Sequence, residues 1–321
     1  MRFSIIIPTR DRPALFAQTL ASVQSQAFNQ LEIIVVNDGS HADHLPDYEA
    51  IVATAIAQMG ARLRVFHLIR RPNGHGPSYA LNFGVSQAVG DYVGFLDDDD
   101  VWLETNHLTR ADAALIGDAD LYMSNQRAYS LGHEISEQLW LGSLAPRLAA
   151  EGRAPDVDGN FTVTVHDLMK TPGFCHLNAM IVRRKLFESI GGLDETIRWE
   201  GDRDLYLRLI DAALTMLHNP REIARHNIPD PAKSANMTTA ITDLQKRLSQ
   251  LRVVDKAATL AKNPVIRAHG REHRSHVMAK VAATLALEGD RRGARAYACS
   301  AFASRPSLGG LVALLRHSLG R

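Results

Sequence analysis

Two short apolar runs near the amino end, FSIIIP at 3–8 and LEIIVV at 31–36, do not alternate between apolar and polar positions. Runs of this length without alternation predict strands buried on both faces, as in a parallel sheet. Between them, PALFAQTLASVQSQ places Leu15, Thr19 with Leu20, and Val23 at helical spacing. RLRVFHLI at 62–69 and DYVGFLD at 91–97 predict two more strands, with helices near 44–59 and 77–88 between them. Strands alternating with helices of ten to fifteen residues point to an α/β fold with a mostly parallel sheet and right-handed crossovers. The pattern is irregular from 130 to 175 and returns to a strand at 176–184. LFESIGGLDE predicts a short helix ended by Gly191 and Gly192, and 202–214 an amphipathic helix with Leu205, Leu209 and Ala213 on one stripe. A further strand carries His226 in IARHNIPDP. Beyond about 237 the pattern is helical, two or three segments joined near KNP and EGDRRG.

Composition adds bounds. The 321 residues are 45% hydrophobic and 22% charged, which suits one large globular domain or a domain with an appendage. No apolar run approaches the roughly 20 residues that span a bilayer. MRFSIIIPTR has too short an apolar core for a signal peptide and is interrupted by Pro8, so the expected location is cytoplasmic. Cys175 and Cys299 are the only cysteines, which indicates neither a disulfide framework nor a cysteine zinc site.

Charge changes the picture more. The net charge of +1 conceals a balance of +11 from Lys246 onward and −10 before it. The basic end suits a solvated helical surface, a nucleic-acid patch or a face that meets anionic lipid at the inner side of a membrane. Nucleic acid is disfavoured, because only Tyr297 and Phe302 supply aromatic rings beyond residue 237. SLGGLVALLRHSLGR, with Leu311, Leu314 and Leu315 beside Arg316, keeps the lipid face in view.

Ligands of open α/β sheets sit beyond the carboxyl ends of the strands. PTRDR follows the first strand, NDGS the second, and the run Asp97, Asp98, Asp99, Asp100 the fourth. Four adjacent carboxylates repel one another, and a hard cation such as Mg²⁺ or Mn²⁺ among them would keep them ionised together. Mg²⁺ often shares such ligands with substrate phosphates. The plainer alternative is a solvated acidic loop with helix caps.

The ordered elements SIIIPTRDR, EIIVVNDGS, NGHGPSYALNFGVSQAVGDYVGFLDDDD, GGLDE and WEGDRDLYLRL resemble family 2 glycosyltransferases of the GT-A fold over roughly residues 1–228. That resemblance implies a catalytic domain at 1–235, with a nucleotide-sugar half at about 1–101 and an acceptor half at about 102–235. The basic helical region 236–321 would follow it. Pro8, Thr9 and Arg10 would line the nucleotide pocket, and Asp38 would accept a hydrogen bond from the base. Asn-Asp-Gly-Ser is also ordinary turn chemistry. Asn82 would join the nucleotide site. Asp97, Asp99 and Asp100 match the acidic positions of the DxD motif, and Asp98 fills its variable position. The ribose and diphosphate would fall to Asp97 and Asp98, and Mn²⁺ or Mg²⁺ to Asp99 and Asp100. A late histidine, here His226, would complete the metal shell, although one isolated histidine is a poor ligand signal.

The family often carries arginine before that asparagine. Here Leu81 stands there, and Arg70, Arg71 and His75 are nearby substitutes. Asp202 matches the family's catalytic base, with Glu200 in reserve. As an aspartate opening a helix, Asp202 also suits an N-cap, and Asp204 suits the helix dipole. Lys233 lies in a polar loop that could close over the diphosphate.

The implied reaction is inverting, metal-dependent transfer of a hexosyl or related sugar from a nucleoside-diphosphate sugar, UDP favoured. The acceptor would be a saccharide or lipid-linked hydroxyl, in surface polysaccharide or glycolipid synthesis. A sugar-phosphate nucleotidyltransferase would want a Gly-rich phosphate loop after the first strand, and PTRDRP has no glycine. A phosphatase with an aspartyl nucleophile would want its acidic motif at the first strand. A non-catalytic nucleotide-sugar-binding module remains as an alternative, to be separated by donor turnover.

Overall fold

The computed structural model describes residues 1–117, 119–135, 140–228 and 241–319; Lys233 and its loop lie outside them. The chain divides into two compact units, Met1–Glu195 with Ala212–Asp230, and Thr196–Asp211 with Pro231–Arg321. The segment 196–211 thus groups with the carboxyl-terminal helices, and not with the catalytic domain expected to run to 235.

The first unit is built on one sheet. Strands β1 (Phe3–Thr9), β2 (Leu31–Asn37), β3 (Leu63–His67) and β4 (Tyr92–Phe95) run parallel in the order β3-β2-β1-β4. Every residue of β1 and β2 is buried, which is why neither sequence alternates. The crossovers are helices α1 (Pro13–Gln24), α2 (Leu45–Met59) and α3 (Pro77–Ser86), each with proline in its first turn, where no backbone donor is needed. On α1 the buried stripe is Phe16, Thr19, Leu20 and Val23. Leu15, expected in it, is 39% exposed, because Phe16, Leu20 and Val23 hold the i, i+4, i+7 positions.

Beyond β4 the sheet continues with β9 (Met180–Arg183), antiparallel to both β4 and β6 (Leu121–Ser130). β6 pairs in parallel with β10 (Met216–Ile228), and β5 (Val101–Trp102) closes that edge antiparallel to β10. The stretch 130–175 is less irregular than its pattern predicts. It contains β7 (His133–Ile135), α5 (Leu144–Ala150), β8 (Phe161–Val163) and α6 (Val165–Lys170). Each is three to seven residues long, too short for a period to register. Two further helices, α4 (His107–Ala114) and α7 (Arg184–Ser189), lie outside it.

The second unit holds α8 (Gly201–Ala212) up to Asp211, then α9 (Asp243–Leu260), α10 (Pro264–Leu287), α11 (Arg291–Ser304) and α12 (Leu308–Leu319). Among the described residues four helices follow the catalytic region, where two or three were expected, and one joint not expected falls at Arg305–Ser307. Their starts are capped by Thr242 in a capping box with Gln245, by Asn263 ahead of Pro264, and by Asp290. Leu251, Val254, Val277, Met278 and Ala301 form their core. Asp204, expected only to favour the helix dipole, is 2% exposed and pairs with Lys256 Nζ at 2.7 Å and with Arg208 Nη2 at 2.8 Å. None of the described helices is long and apolar enough to cross a membrane.

Candidate active site

The four aspartates follow β4 at the carboxyl end of the parallel strands and alternate in direction. Asp98 is 1% exposed and turns toward the end of β1. Its Oδ2 accepts hydrogen bonds from Thr9 Oγ1 at 2.6 Å and the Arg10 amide at 3.4 Å. The Arg12 guanidinium spans two neighbours, with Nη2 on Asp98 Oδ1 and Nη1 donating to Asp99 Oδ2 at 2.7 Å. The Arg12 backbone is held as well, its amide donating to the Tyr48 hydroxyl at 3.0 Å. Tyr48 in turn shares a hydrogen bond with Thr9 Oγ1 at 2.7 Å.

Asp100 is fully buried and faces the other half of the sheet. It receives the Asn227 amide at 2.6 Å, the Asn178 side-chain amide, and His226 Nδ1 at 2.7 Å. Asp97 and Asp99 are only half-buried. Among the described residues, no hydrogen bond reaches the Asp97 carboxylate. The repulsion of the cluster is therefore offset by two cations, Arg12 and His226, and by turning alternate carboxylates inward.

The proton affinities record what is left over. Burial raises the Asp98 carboxyl, Arg12 opposes that, Asp99 adds to it, and the result is about 7. Burial and the neighbouring carboxylates likewise push Asp97 well above the ordinary carboxylate range. For His226, burial alone would lower the imidazole, but Asp100 outweighs it and lifts it to about 9.

A second group of residues closes around Asp38, beyond β2. Its carboxylate accepts from the His75 amide at 2.9 Å, the Gly76 amide at 3.0 Å and His75 Nδ1 at 2.7 Å. The same loop receives Arg10, whose Nη2 donates to the carbonyls of Arg71 at 2.9 Å and Pro72 at 3.1 Å. Gly74 has φ +63°, and a Cβ there would collide with both Arg10 and Asp38. Arg70 Nη1 reaches the Gly39 carbonyl at 2.9 Å. Thus Thr9, Arg10, Asp38, Arg70, Arg71 and His75 assemble on one edge, while Pro8 is buried within β1.

Other expected residues lie elsewhere. Asn82 exchanges hydrogen bonds of 2.9 Å with the backbone of Leu193 and donates to Glu195 Oε1, so it clamps the GGLDE turn. Asp202 and Glu200 belong to the second unit. Asp202 stands in the first turn of α8 and accepts from the Arg203 amide at 2.8 Å. Glu200 has φ +60° and is held by Gln250 Nε2 at 2.8 Å. Sequence reasoning missed Arg12, Tyr48, Asn178 and Asn227. Arg12 stands inside PTRDRP and Asn227 directly after His226, whereas Tyr48 and Asn178 lie in segments with no chemical motif.

Among the described residues, no three His, Cys, Asp or Glu side chains converge as a metal cage. Asp100 and His226, expected as ligands, are engaged with each other. Asp97 and Asp99 fit a divalent cation better: two half-buried carboxylates of one turn, both with raised proton affinity and neither engaged with His226. Two carboxylates suit Mg²⁺ or Mn²⁺, whose shells are commonly completed by substrate phosphates.

A mostly parallel sheet carrying an acidic turn beyond its carboxyl ends is the GT-A architecture. The fold is shared with Staphylococcus aureus TarS 1–349 solved with UDP, at TM-score 0.65 and 16% identity over 95% of this chain and 81% of that one. It is shared too with the Pyrobaculum calidifontis mannosyltransferase PcManGT solved with GDP-Man and Mn²⁺, at TM-score 0.59 and 18% identity over 99% and 79%. The chain belongs to glycosyl transferase family 2, which matches residues 4–191. The succinoglycan biosynthesis protein ExoW of Rhizobium meliloti is 30% identical over 59% of this chain and 57% of its own length. A Campylobacter jejuni relative named GalNAc(5)-diNAcBac-PP-undecaprenol beta-1,3-glucosyltransferase is 35% identical over 31% and 30%. The chain thus spans little more than half of the first relative and less of the second.

Proposed function

We propose that this chain is an inverting glycosyltransferase that transfers a sugar from a nucleoside-diphosphate sugar, UDP favoured, to an acceptor hydroxyl in polysaccharide or glycolipid synthesis. The observation that carries the proposal is the tie between the acidic turn and the Asp38 group: Asp98 holds Thr9 and the Arg10 amide, the Arg10 side chain holds the loop that carries His75, and His75 holds Asp38, while Asp97 and Asp99 stay half-buried. Arg10, Asp38 and His75 border the base site, and Thr9 and Asp98 keep that border in register with the acidic turn. Asp97 and Asp99 hold Mn²⁺ or Mg²⁺, which when bound offsets the charge that grows on the departing diphosphate. The acceptor oxygen attacks the anomeric carbon as the bond to the diphosphate oxygen breaks, and the electron pair leaves with the diphosphate. Asp202 takes the acceptor proton, and attack opposite the leaving group inverts the centre. The resemblance of WEGDRD to the family's acidic motif and the place of Asp202 in the first turn of α8 support that role.

The names of the relatives support a polysaccharide or lipid-linked acceptor. The basic helices of the second unit are proposed to bring the chain to anionic membrane from the cytoplasmic side. Support comes from α12, which exposes Leu308 (85%), Val312 (58%) and Leu315 (49%).

A thermal-shift screen of nucleoside diphosphates with and without Mn²⁺ tests the donor. A ligand at 100 times its Kd stabilises the native state by about 2.7 kcal/mol. UDP with Mn²⁺ is expected to raise the melting temperature. A flat response to every nucleoside diphosphate would remove the proposal, and binding without turnover would reduce the chain to a binding module.

A further inference from the structure

One side chain at the acidic turn is not explained by donor binding alone. Arg12 stands at the cap of α1 with φ −136°, outside both β1 and the helix. From there its guanidinium forks onto two consecutive carboxylates, Asp98 and Asp99. The two have different surroundings. Asp98 is 1% exposed and also held by Thr9 and the Arg10 amide, whereas Asp99 is 19% exposed. Arg12 itself is 25% exposed. One arm of the fork is thus locked inside, and the other lies on a carboxylate that faces outward.

We propose that Arg12 is the resident counter-ion of Asp99 in the donor-free protein, and that it yields Asp99 to a divalent cation only when a diphosphate arrives to take over its outer arm. The inference rests on the functional reading above. A guanidinium is always charged and presents planar paired donors that match a carboxylate or a phosphate equally well. A dication entering beside Asp99 meets that fixed charge at close range, in surroundings that screen it poorly. The cation alone therefore binds weakly. A diphosphate supplies anionic oxygens to both the cation and the freed guanidinium, so each ligand strengthens the other. Such coupling is reciprocal by thermodynamic necessity. The arrangement makes the acidic turn refuse a bare metal ion and accept a metal with its nucleotide.

Calorimetric titration of Mn²⁺, alone and at saturating UDP, tests this in the wild type and in Arg12→Gln and Arg12→Lys. The wild type is expected to bind Mn²⁺ at least tenfold more tightly with UDP. In Arg12→Gln the affinity for Mn²⁺ alone should rise about tenfold, and the enhancement by UDP should shrink. Arg12→Lys keeps the charge but cannot span both carboxylates, so it should also bind Mn²⁺ alone more tightly than the wild type. If Arg12→Gln fails to fold, Arg12→Lys decides. Unchanged or weaker Mn²⁺ binding in the folded variants, with UDP enhancement intact, would overturn the role of Arg12 while leaving the donor site standing. A wild type that binds no UDP at all would instead sink the functional reading.

Discussion

Four chemically identical neighbours, Asp97 to Asp100, divide into two pairs once their partners are known. Asp98 holds Thr9, Arg10 and Arg12, and Asp100 holds Asn178, His226 and Asn227. Removing either inward carboxylate leaves buried donors without a partner. Asp98→Ala is therefore expected to destabilise the protein by about 2–3 kcal/mol, measured by urea denaturation, with half-exposed Arg12 limiting the loss. Asp97→Ala should cost under about 0.5 kcal/mol or add stability, because it removes a carboxylate that its neighbours repel. Both should lose Mn²⁺-dependent UDP affinity. Equal stability of the two variants would erase the division into structural and functional aspartates. The sequence supplied the cluster and its place at a strand end. It did not supply the alternation, because direction depends on Asn178, Asn227 and Arg12, each brought in from another element.

At the level of elements, two groups look alike in sequence and behave differently in the fold. Asp202 and Asp204 both lie in the first turn of α8. Asp204 is sealed against Lys256 of α9 and also pairs with Arg208, so Asp204→Ala should cost about 3 kcal/mol by removing the buried carboxylate that both cations share. Asp202 is the second residue of α8 and not its N-cap, so Asp202→Asn, which keeps the size and an oxygen for the Arg203 amide, should change stability by under about 1 kcal/mol. It should lower turnover by 10²–10⁴-fold at unchanged UDP affinity. Normal turnover in that variant would reduce Asp202 to a first-turn acidic residue and pass the test to Glu200. Asp204 shows why the pattern misled here: periodicity marks which face is buried, not whether a buried charge finds a partner.

Histidine 107, the first residue of α4, gives a pH signature. It is fully buried against Trp102 and Tyr122, and neither ring nitrogen has a hydrogen-bond partner among the described residues. Burial lowers its proton affinity to about 3. Below the ordinary value of 6.5 the unfolded chain binds a proton that the native state refuses, so stability present above pH 6.5 is lost as pH falls. That loss reaches about 3 kcal/mol by pH 4. His107→Phe should remove this component, flattening the slope of unfolding free energy between pH 6.5 and 4. An unchanged slope would mean that other groups carry it.

For the whole molecule, the parallel half of the fold was legible. Uninterrupted apolar strands and proline-opened helices repeat there with element lengths long enough to show their period. The half that follows was not, since it mixes the parallel pair β6–β10 with antiparallel short pieces such as Phe161–Val163, and each strand depends on partners distant in sequence. The grouping of 196–211 with the carboxyl-terminal helices was equally hidden, because contacts such as Asp204–Lys256 join residues about fifty positions apart and leave no mark in linker composition. The +11 balance from Lys246 onward gives the proposed membrane face its own test. Vesicles rich in anionic lipid should sediment the protein and neutral vesicles should not, with binding lost at high salt, as screening requires. Equal binding to both, or to neither, would leave the basic helices as a solvated surface.

If the acidic turn serves sugar transfer from a nucleoside-diphosphate sugar, the protein releases the nucleoside diphosphate. The most direct measurement is release of UDP from a panel of UDP-sugars, with Mn²⁺ and a mixed acceptor pool, by the wild type and by Asp99→Ala. The expected result is Mn²⁺-dependent UDP release by the wild type from at least one donor, reduced at least 100-fold in the folded Asp99→Ala variant. Equal release by the two proteins, or a wild type that releases nucleoside diphosphate from no donor sugar, would contradict the account.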